Sequence, residues 1–179
     1  MKIVVLGMCC RVSNTLKDLG KKAETSLFEW MRSENFSDIL KIIERVVKRE
    51  PVEITKRHHF NDDFLHDTNI RTIHYLGQLD TVFSRRSDRF LSSIINNEPI
   101  LFIREDSRDY LTTHDQINEF IQLLKTVNIN LNFKFLLFSE ANEFEQIKLE
   151  HVSHYKLPNN KANYGQIISE LESELERGL

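Results

Sequence analysis

The chain has 179 residues, of which 40% are apolar and 28% are charged, proportions typical of one globular domain. Three prolines and five glycines argue against a long disordered tail, and a net charge of −3 argues against a dedicated nucleic-acid-binding protein. No apolar run approaches the ~20 residues of a membrane-spanning helix, and the start of the chain does not read as a signal peptide. We therefore expect a single cytoplasmic domain over residues 1–179, without a membrane partner.

The first predicted unit is a strand, a sharp turn and a helix. Residues 2–6 form a continuous apolar run that ends at Gly7, as in a strand buried on both faces. Apolar residues at helical spacing then follow over residues 12–19, until Gly20 ends the pattern. Cys9 and Cys10 lie in the turn between the two elements.

A second helix is predicted over residues 36–48, with Ser37 as its N-cap. The preceding aromatic stretch, residues 27–31, predicts about one helical turn. Residues 51–80 are predicted to be irregular, with short strands, and they contain four of the seven histidines. Long irregular segments of this kind often carry function.

From residue 81 onwards, apolar strands alternate with helices. Helices are predicted over residues 81–96, over Ile117–Leu124 behind an N-cap at Thr113, and over residues 163–177. Strands are predicted over residues 100–103, 133–138 and 147–152, the last of them an edge strand. This alternation predicts an α/β fold with a mainly parallel sheet flanked by helices on both faces.

The cysteine turn is the strongest candidate for chemistry. A parallel strand delivers its carboxyl end to the crevice where α/β proteins bind ligands. A thiol at the start of a helix is favoured as the thiolate by the helix dipole and by unpaired backbone N–H groups. Cys10 lies nearer the helix start than Cys9, so it is the preferred nucleophile. The alternative is that both cysteines are small core residues.

A thiolate nucleophile requires an imidazole partner. Among the seven histidines, His66 is preferred because its apolar neighbours indicate a partly buried position. A metal site is the competing interpretation of the region, since residues 58–67 contain three histidines and three aspartates. They lack a recognisable metal-ligand signature, so we expect neither a metal nor a cofactor.

Arginines supply candidate groups for holding an anionic substrate. Arg104 ends an apolar strand, at the edge where ligands bind, and could hold a carboxylate or phosphate. The alternative for Arg104 is a structural salt bridge with Asp106, Glu105 or Glu140. The pair Arg85 and Arg86 is a second candidate for the same task.

Five short motifs follow one another in a recognisable order. They are residues 5–12 (VLGMCCRV), 27–30 (LFEW), 64–67 (FLHD), 85–90 (RRSDRF) and 102–104 (FIR). Together they resemble the bacterial DUF1796 family, which is labelled as papain-like cysteine peptidases. The similarity covers most of the chain, and its label implies a papain-like α+β fold as the alternative to the α/β fold.

The resemblance implies that Cys10 is the nucleophile and His66 the general base. An aspartate in the family's Pro-Phe-Asp-Trp motif falls on Glu29, so Glu29 or Asp67 would orient the imidazole. The family's Ser-Asn before the cysteine falls on Met8 and Cys9, which removes two small polar groups beside the nucleophile.

The leading hypothesis is a cysteine-dependent acyl-group enzyme, either a hydrolase of a peptide, amide or thioester bond or an acyltransferase. Its substrate would be a small molecule, a peptide or a carrier-bound acyl group. Arg11 and Trp30 join the arginines named above as candidate substrate-binding residues.

Two other functions remain open. One is a non-catalytic α/β module that binds a small anion or a partner protein at the same edge. The other is a metal-dependent hydrolase that uses the histidine-rich residues 58–67.

Overall fold

The computed structural model describes residues 1–8, 10–21, 24–57, 62–72, 79–140, 146–158 and 161–177. The helices in these ranges are α1 (Cys10–Asp18), α2 (Phe36–Val47), α3 (Leu79–Ile95), α4 (His114–Val127) and α5 (Lys161–Glu176). The strands are β1 (Lys2–Val5), β2 (Met31–Arg32), β3 (Ile54–Arg57), β4 (Asp62–Leu65), β5 (Arg71–Thr72), β6 (Ile100–Asp106), β7 (Phe133–Ser139) and β8 (Val152–Lys156). No helix within the described ranges is long and apolar enough to cross a membrane.

Four strands form a parallel sheet in the order β1-β6-β7-β8. Its apolar strands are the ones that the sequence predicts, because a strand buried on both faces needs a continuous apolar run. The α/β class is therefore confirmed. The described part of the chain also has a small antiparallel sheet, in the order β2-β5-β4-β3, formed largely from the segment predicted to be irregular with short strands.

Alternate residues of the parallel strands enter two hydrophobic clusters. In β6, Leu101 and Ile103 pack with residues of α1 and α5. Ile100 and Phe102 pack instead with residues of α2, α3 and α4. Because side chains alternate across a strand, each group of helices packs on its own set of strand side chains.

Several details differ from the sequence prediction. Strand β6 continues past Ile103 to Asp106, and its last three residues are charged and fully buried. The N-cap of α2 is Asn35 rather than Ser37, since the Asn35 side chain accepts a hydrogen bond from the N–H of Ser37. Residues 27–30 are turns that lead into β2.

The edge strand predicted over residues 147–152 is wrong in position. Ile147 and Leu149 pack against the first cluster as part of a connection, and β8 begins only at Val152. The strand itself contains His154, a buried polar residue that breaks the apolar pattern used for the prediction.

Candidate functional site

The turn between β1 and α1 has a tightly constrained backbone. Gly7 and Met8 have φ values of 74° and 81°, in the left-handed region that favours glycine. A Cβ atom at Gly7 would lie 2.0 Å from Oγ of Ser33. The backbone N–H of Met8 donates to the same Oγ at 2.9 Å. Ser33 therefore packs directly on the turn that precedes the nucleophile candidate.

Arg104 connects this turn to the backbone of residues 33 and 34. Its side chain is fully buried, and Nη1 donates to the carbonyls of Leu6 at 2.9 Å and Ser33 at 3.0 Å. Nη2 donates to the carbonyl of Glu34 at 2.7 Å, and Nε donates to Oδ1 of Asp106 at 3.2 Å. Burial lowers the pKa of Arg104, an effect that Asp106 opposes, and burial raises the pKa of Asp106, which Arg104 opposes.

This geometry does not support the substrate-binding role expected of Arg104. A guanidinium with no exposed surface cannot contact a ligand that arrives from solvent. The structural salt bridge with Asp106 is the arrangement that is formed. Arg104 positions the backbone around the turn.

Cys10 is the first residue of α1, and its side chain is half-buried. The next residue, Arg11, extends along the carboxyl edge of the sheet. Nη2 of Arg11 lies 2.9 Å from Oε1 of the buried Glu105 and 3.2 Å from Oε1 of Glu140. Arg11 forms ion pairs with both carboxylates. It therefore connects the helix of the nucleophile candidate to the ends of β6 and β7.

His66 follows β4, in the antiparallel sheet. Nδ1 lies 3.1 Å from Oγ1 of Thr55, and Nε2 lies 3.2 Å from Oδ1 of Asp67. Within the described ranges these are the hydrogen-bond and ion-pair partners of the ring, and Cys10 is not among them. The side chains of His66 and Asp67, which are adjacent in the chain, are therefore in contact, and Oδ2 of Asp67 also lies 3.4 Å from Nη2 of Arg45, while the pairing of His66 with Cys10 stays a prediction.

Glu29 stabilises its own turn. The residue is buried, its Oε2 accepts the N–H of Ser26 at 2.9 Å, and its carbonyl accepts Nη1 of Arg86 at 2.7 Å. Trp30, the next residue, is half-buried and has a φ of 66°. These contacts support a structural role for Glu29 in the segment that leads to β2.

The two neighbouring arginines on α3 have different environments. Arg85 is exposed, whereas Arg86 is buried against the carbonyl of Glu29. Burial, together with the charges of Arg89 and Arg85, lowers the pKa of Arg86 to about 10. The side chains therefore do not act as a matched pair, and Arg85 is the one that is available to an anionic group from solvent.

A polar pair that the sequence analysis did not single out lies at the carboxyl end of β7. Oγ of Ser139 and Nε2 of His154 are 2.8 Å apart, and both residues are buried. Burial lowers the pKa of His154 to about 4. The only sequence signal for the pair is a histidine in the middle of an otherwise weak strand pattern.

No group of three or more metal-binding side chains occurs among the residues that the structure describes. Three of the four histidines in residues 51–80, namely His58, His59 and His74, lie outside the described residues, so the metal hypothesis stays a prediction. Cys9 lies outside them as well.

No protein-family model matches the chain, and no solved structure matches it. It is similar to "Uncharacterized protein R408" of Acanthamoeba polyphaga mimivirus, with 23% identity over 78% of each chain. That name states no activity, so the candidate function depends on the geometry described above.

Proposed function

We propose that the protein is a cysteine-dependent acyl-group enzyme in which Cys10 attacks a substrate carbonyl. The observation that carries the proposal is the position of Cys10: it begins α1 two residues after the left-handed Gly7 and Met8, where Ser33 and Arg104 hold the backbone in place. Backbone strain of this kind persists only where surrounding contacts impose it, and it concentrates at functional sites.

The position of the turn in the fold supports the same conclusion. The two hydrophobic clusters support the predicted arrangement of helices on both faces of the parallel sheet, which leaves the carboxyl edge as its open rim. Ligands of α/β proteins bind at this rim. A reduced thiol requires a reducing compartment, so the proposal includes a cytoplasmic location.

The chemistry follows from the groups at the start of α1. The Cys10 sulfur forms a bond to the carbonyl carbon, and backbone N–H groups of the first helical turn stabilise the oxyanion that results. Collapse of this intermediate leaves a thioester on Cys10 and releases an amine or a thiol, which takes up a proton. Water or an acceptor nucleophile then attacks the thioester and regenerates the thiol.

The proposal takes His66 as the general base. The Asp67 carboxylate beside its Nε2 is the kind of group that orients a catalytic imidazole. For His66 to serve Cys10, the turn that carries it must move towards the thiol when the substrate binds, because the ring contacts Thr55 and Asp67, and Asp67 pairs with Arg45 in the last turn of α2.

Thiol labelling tests the nucleophile directly. We expect iodoacetamide at pH 7 to modify Cys10 at least about ten times faster than free glutathione, since the rate follows the thiolate fraction and exposure. The matched control is the neighbouring cysteine: Cys9→Ala should leave the fast reaction intact, and Cys10→Ala should abolish it, as peptide mass spectrometry can resolve. Labelling of Cys10 at or below the glutathione rate would contradict the proposal.

A second labelling experiment separates the roles of the two residues. An electrophilic acyl probe should acylate the wild-type chain and the Cys9→Ala variant, but not Cys10→Ala. With His66→Ala, acylation should slow by roughly 10² to 10⁴, the usual contribution of general-base catalysis. An unchanged rate in His66→Ala would remove His66 from the mechanism and leave the nucleophile assignment standing.

The competing function is a binding module without catalysis. The contacts of His66 with Thr55 and Asp67, rather than with Cys10, are the observation that favours it. Ordinary labelling of Cys10 together with saturable ligand binding at the same edge would establish this alternative.

A further inference from the structure

We propose that a cavity between the start of α4 and the connection that leads to β8 binds a small molecule through a phosphate or carboxylate group. The cavity has a volume of about 740 Å³, and Thr113, His114, Ile147 and Lys148 are among the residues that line it. Ser139 and His154 also line it. This volume falls in the range of small-molecule sites.

The hydrogen bonds of His154 fix the position of its proton. The backbone N–H of Ile147 donates to Nδ1 at 3.2 Å, so Nδ1 carries no hydrogen. The neutral ring therefore carries its proton on Nε2, and this N–H donates to Oγ of Ser139 at 2.8 Å. For the same reason His154 cannot accept the Ser139 proton, and the two do not form a nucleophile and its base.

This assignment leaves the Ser139 hydroxyl hydrogen to be donated elsewhere. Ser139 is 1% exposed, and in the described part of the chain its hydroxyl has no partner other than His154. A buried donor without an acceptor is unfavourable by about 1–3 kcal/mol, unless a ligand or water oxygen satisfies it. Because Ser139 lines the cavity, an oxygen of a bound molecule can accept this hydrogen.

Two further features favour a negatively charged ligand. Helix α4 has 14 residues and begins at the cavity, so its dipole places partial positive charge there. Thr113 caps the N–H of Gln116, while the N–H groups of His114 and Asp115 have no acceptor inside the helix. Lys148, which also lines the cavity, adds a full positive charge.

The cavity is separate from the proposed nucleophile. It lies at the ends of β7 and β8, and β7 is two strands away from β1 in the sheet. At the usual strand spacing this corresponds to about 10 Å. A ligand in the cavity thus requires no chemistry at Cys10, and its binding can be tested independently of the proposed enzyme.

The test uses the full-length, ¹⁵N-labelled chain and two probes, inorganic phosphate and acetate, each titrated at constant ionic strength. We expect saturable shifts of the amide signals of His114, Asp115, Ser139 and Lys148. Saturation by phosphate alone would identify a phosphate site, and saturation by acetate alone a carboxylate site. Shifts that are spread over the surface and do not saturate with either probe would overturn the proposal.

Charge variants provide the decisive comparison. Lys148→Ala should weaken binding of the preferred probe roughly threefold, and Asp115→Asn, which removes an acidic group from the first turn of α4, should strengthen it by a similar factor. Lys125→Ala, in the last turn of the same helix, is the matched control and should leave the affinity unchanged. Equal affinities in all three variants would refute the site, and the comparison avoids replacing the buried Ser139.

Discussion

Ser33 and Gly7 show how one contact determines which residue types the nucleophile turn accepts. The left-handed φ of Gly7 alone would make a side chain unfavourable by roughly 1–2 kcal/mol. Packing of Ser33 against the Gly7 Cα adds a steric requirement, because a Cβ would lie 2.0 Å from Oγ. Gly20 shares the left-handed φ, at 66°, but has open space where its Cβ would be.

These two glycines form a matched pair for mutation. We expect Gly20→Ala to lower the free energy of unfolding by about 1 kcal/mol and Gly7→Ala to lower it by about 3 kcal/mol, since only the second adds a clash to the strained backbone. Urea denaturation measures both values. Equal losses would mean that Ser33 moves aside freely and does not constrain the turn.

At the scale of elements, β8 is the strand whose position the apolar pattern of the sequence predicts wrongly. One edge of β8 pairs with β7, and its central residue, His154, is held from two sides, by Ser139 on β7 and by the N–H of Ile147 in the preceding connection. These hydrogen bonds, rather than apolar contacts, stabilise the His154 ring in its buried position. Apolar patterning consequently gives no signal for it.

The buried His154 predicts a specific dependence of stability on pH. Its pKa is lowered from 6.5 to about 4, so between these values the unfolded chain binds a proton that the folded chain excludes. The free energy of unfolding should therefore fall as the pH drops from 6.5 to 4, by on the order of 2 kcal/mol, and this contribution should not fall further below pH 4.

Comparison with His154→Gln isolates this effect from the titration of carboxylates. Glutamine retains a side-chain donor for Ser139 but does not titrate. Urea denaturation at several values between pH 7 and pH 4 should show a smaller loss in the variant than in the wild type. Parallel curves for the two proteins would show that His154 is not held neutral by the fold.

For the whole molecule, three arginines connect the parallel sheet and its helices to the segment that leads into the antiparallel sheet. Arg86 and Arg89 of α3 donate to the carbonyls of Glu29 and Thr25, and Arg104 of β6 donates to those of Ser33 and Glu34. The same segment contains β2, which pairs with β5. These bonds hold the nucleophile turn and the second sheet in one arrangement.

Replacement of adjacent arginines tests this connection. Arg86→Gln should raise the hydrogen-exchange rate of amides in residues 24–34 by roughly tenfold or more, because a charge-assisted bond to a buried carbonyl contributes about 1.5–3 kcal/mol. Arg85→Gln changes the exposed neighbour and should leave those rates unchanged. Similar rates in both variants would show that the segment is held without Arg86.

The local pattern of apolar residues was sufficient to predict most elements of the fold. Runs such as residues 2–6, 100–103 and 133–138 identify strands buried in the sheet, and the Thr113 N-cap is present with its capping box. These features depend on residues close together in the chain, since burial of a strand or helix imposes a period on its own sequence. The position of Cys10 at the start of α1 follows from the same pattern.

The partners of polar side chains were decided only by the tertiary structure. Arg104 ends a strand in the way that a ligand-binding arginine would, yet it meets the carbonyls of Ser33 and Glu34, about 70 residues away in the chain, and is fully buried. The pairing of Ser139 with His154 depends in the same way on two neighbouring strands. A charged or polar side chain imposes no period on the chain, and its role depends on which distant groups the fold brings within hydrogen-bonding distance.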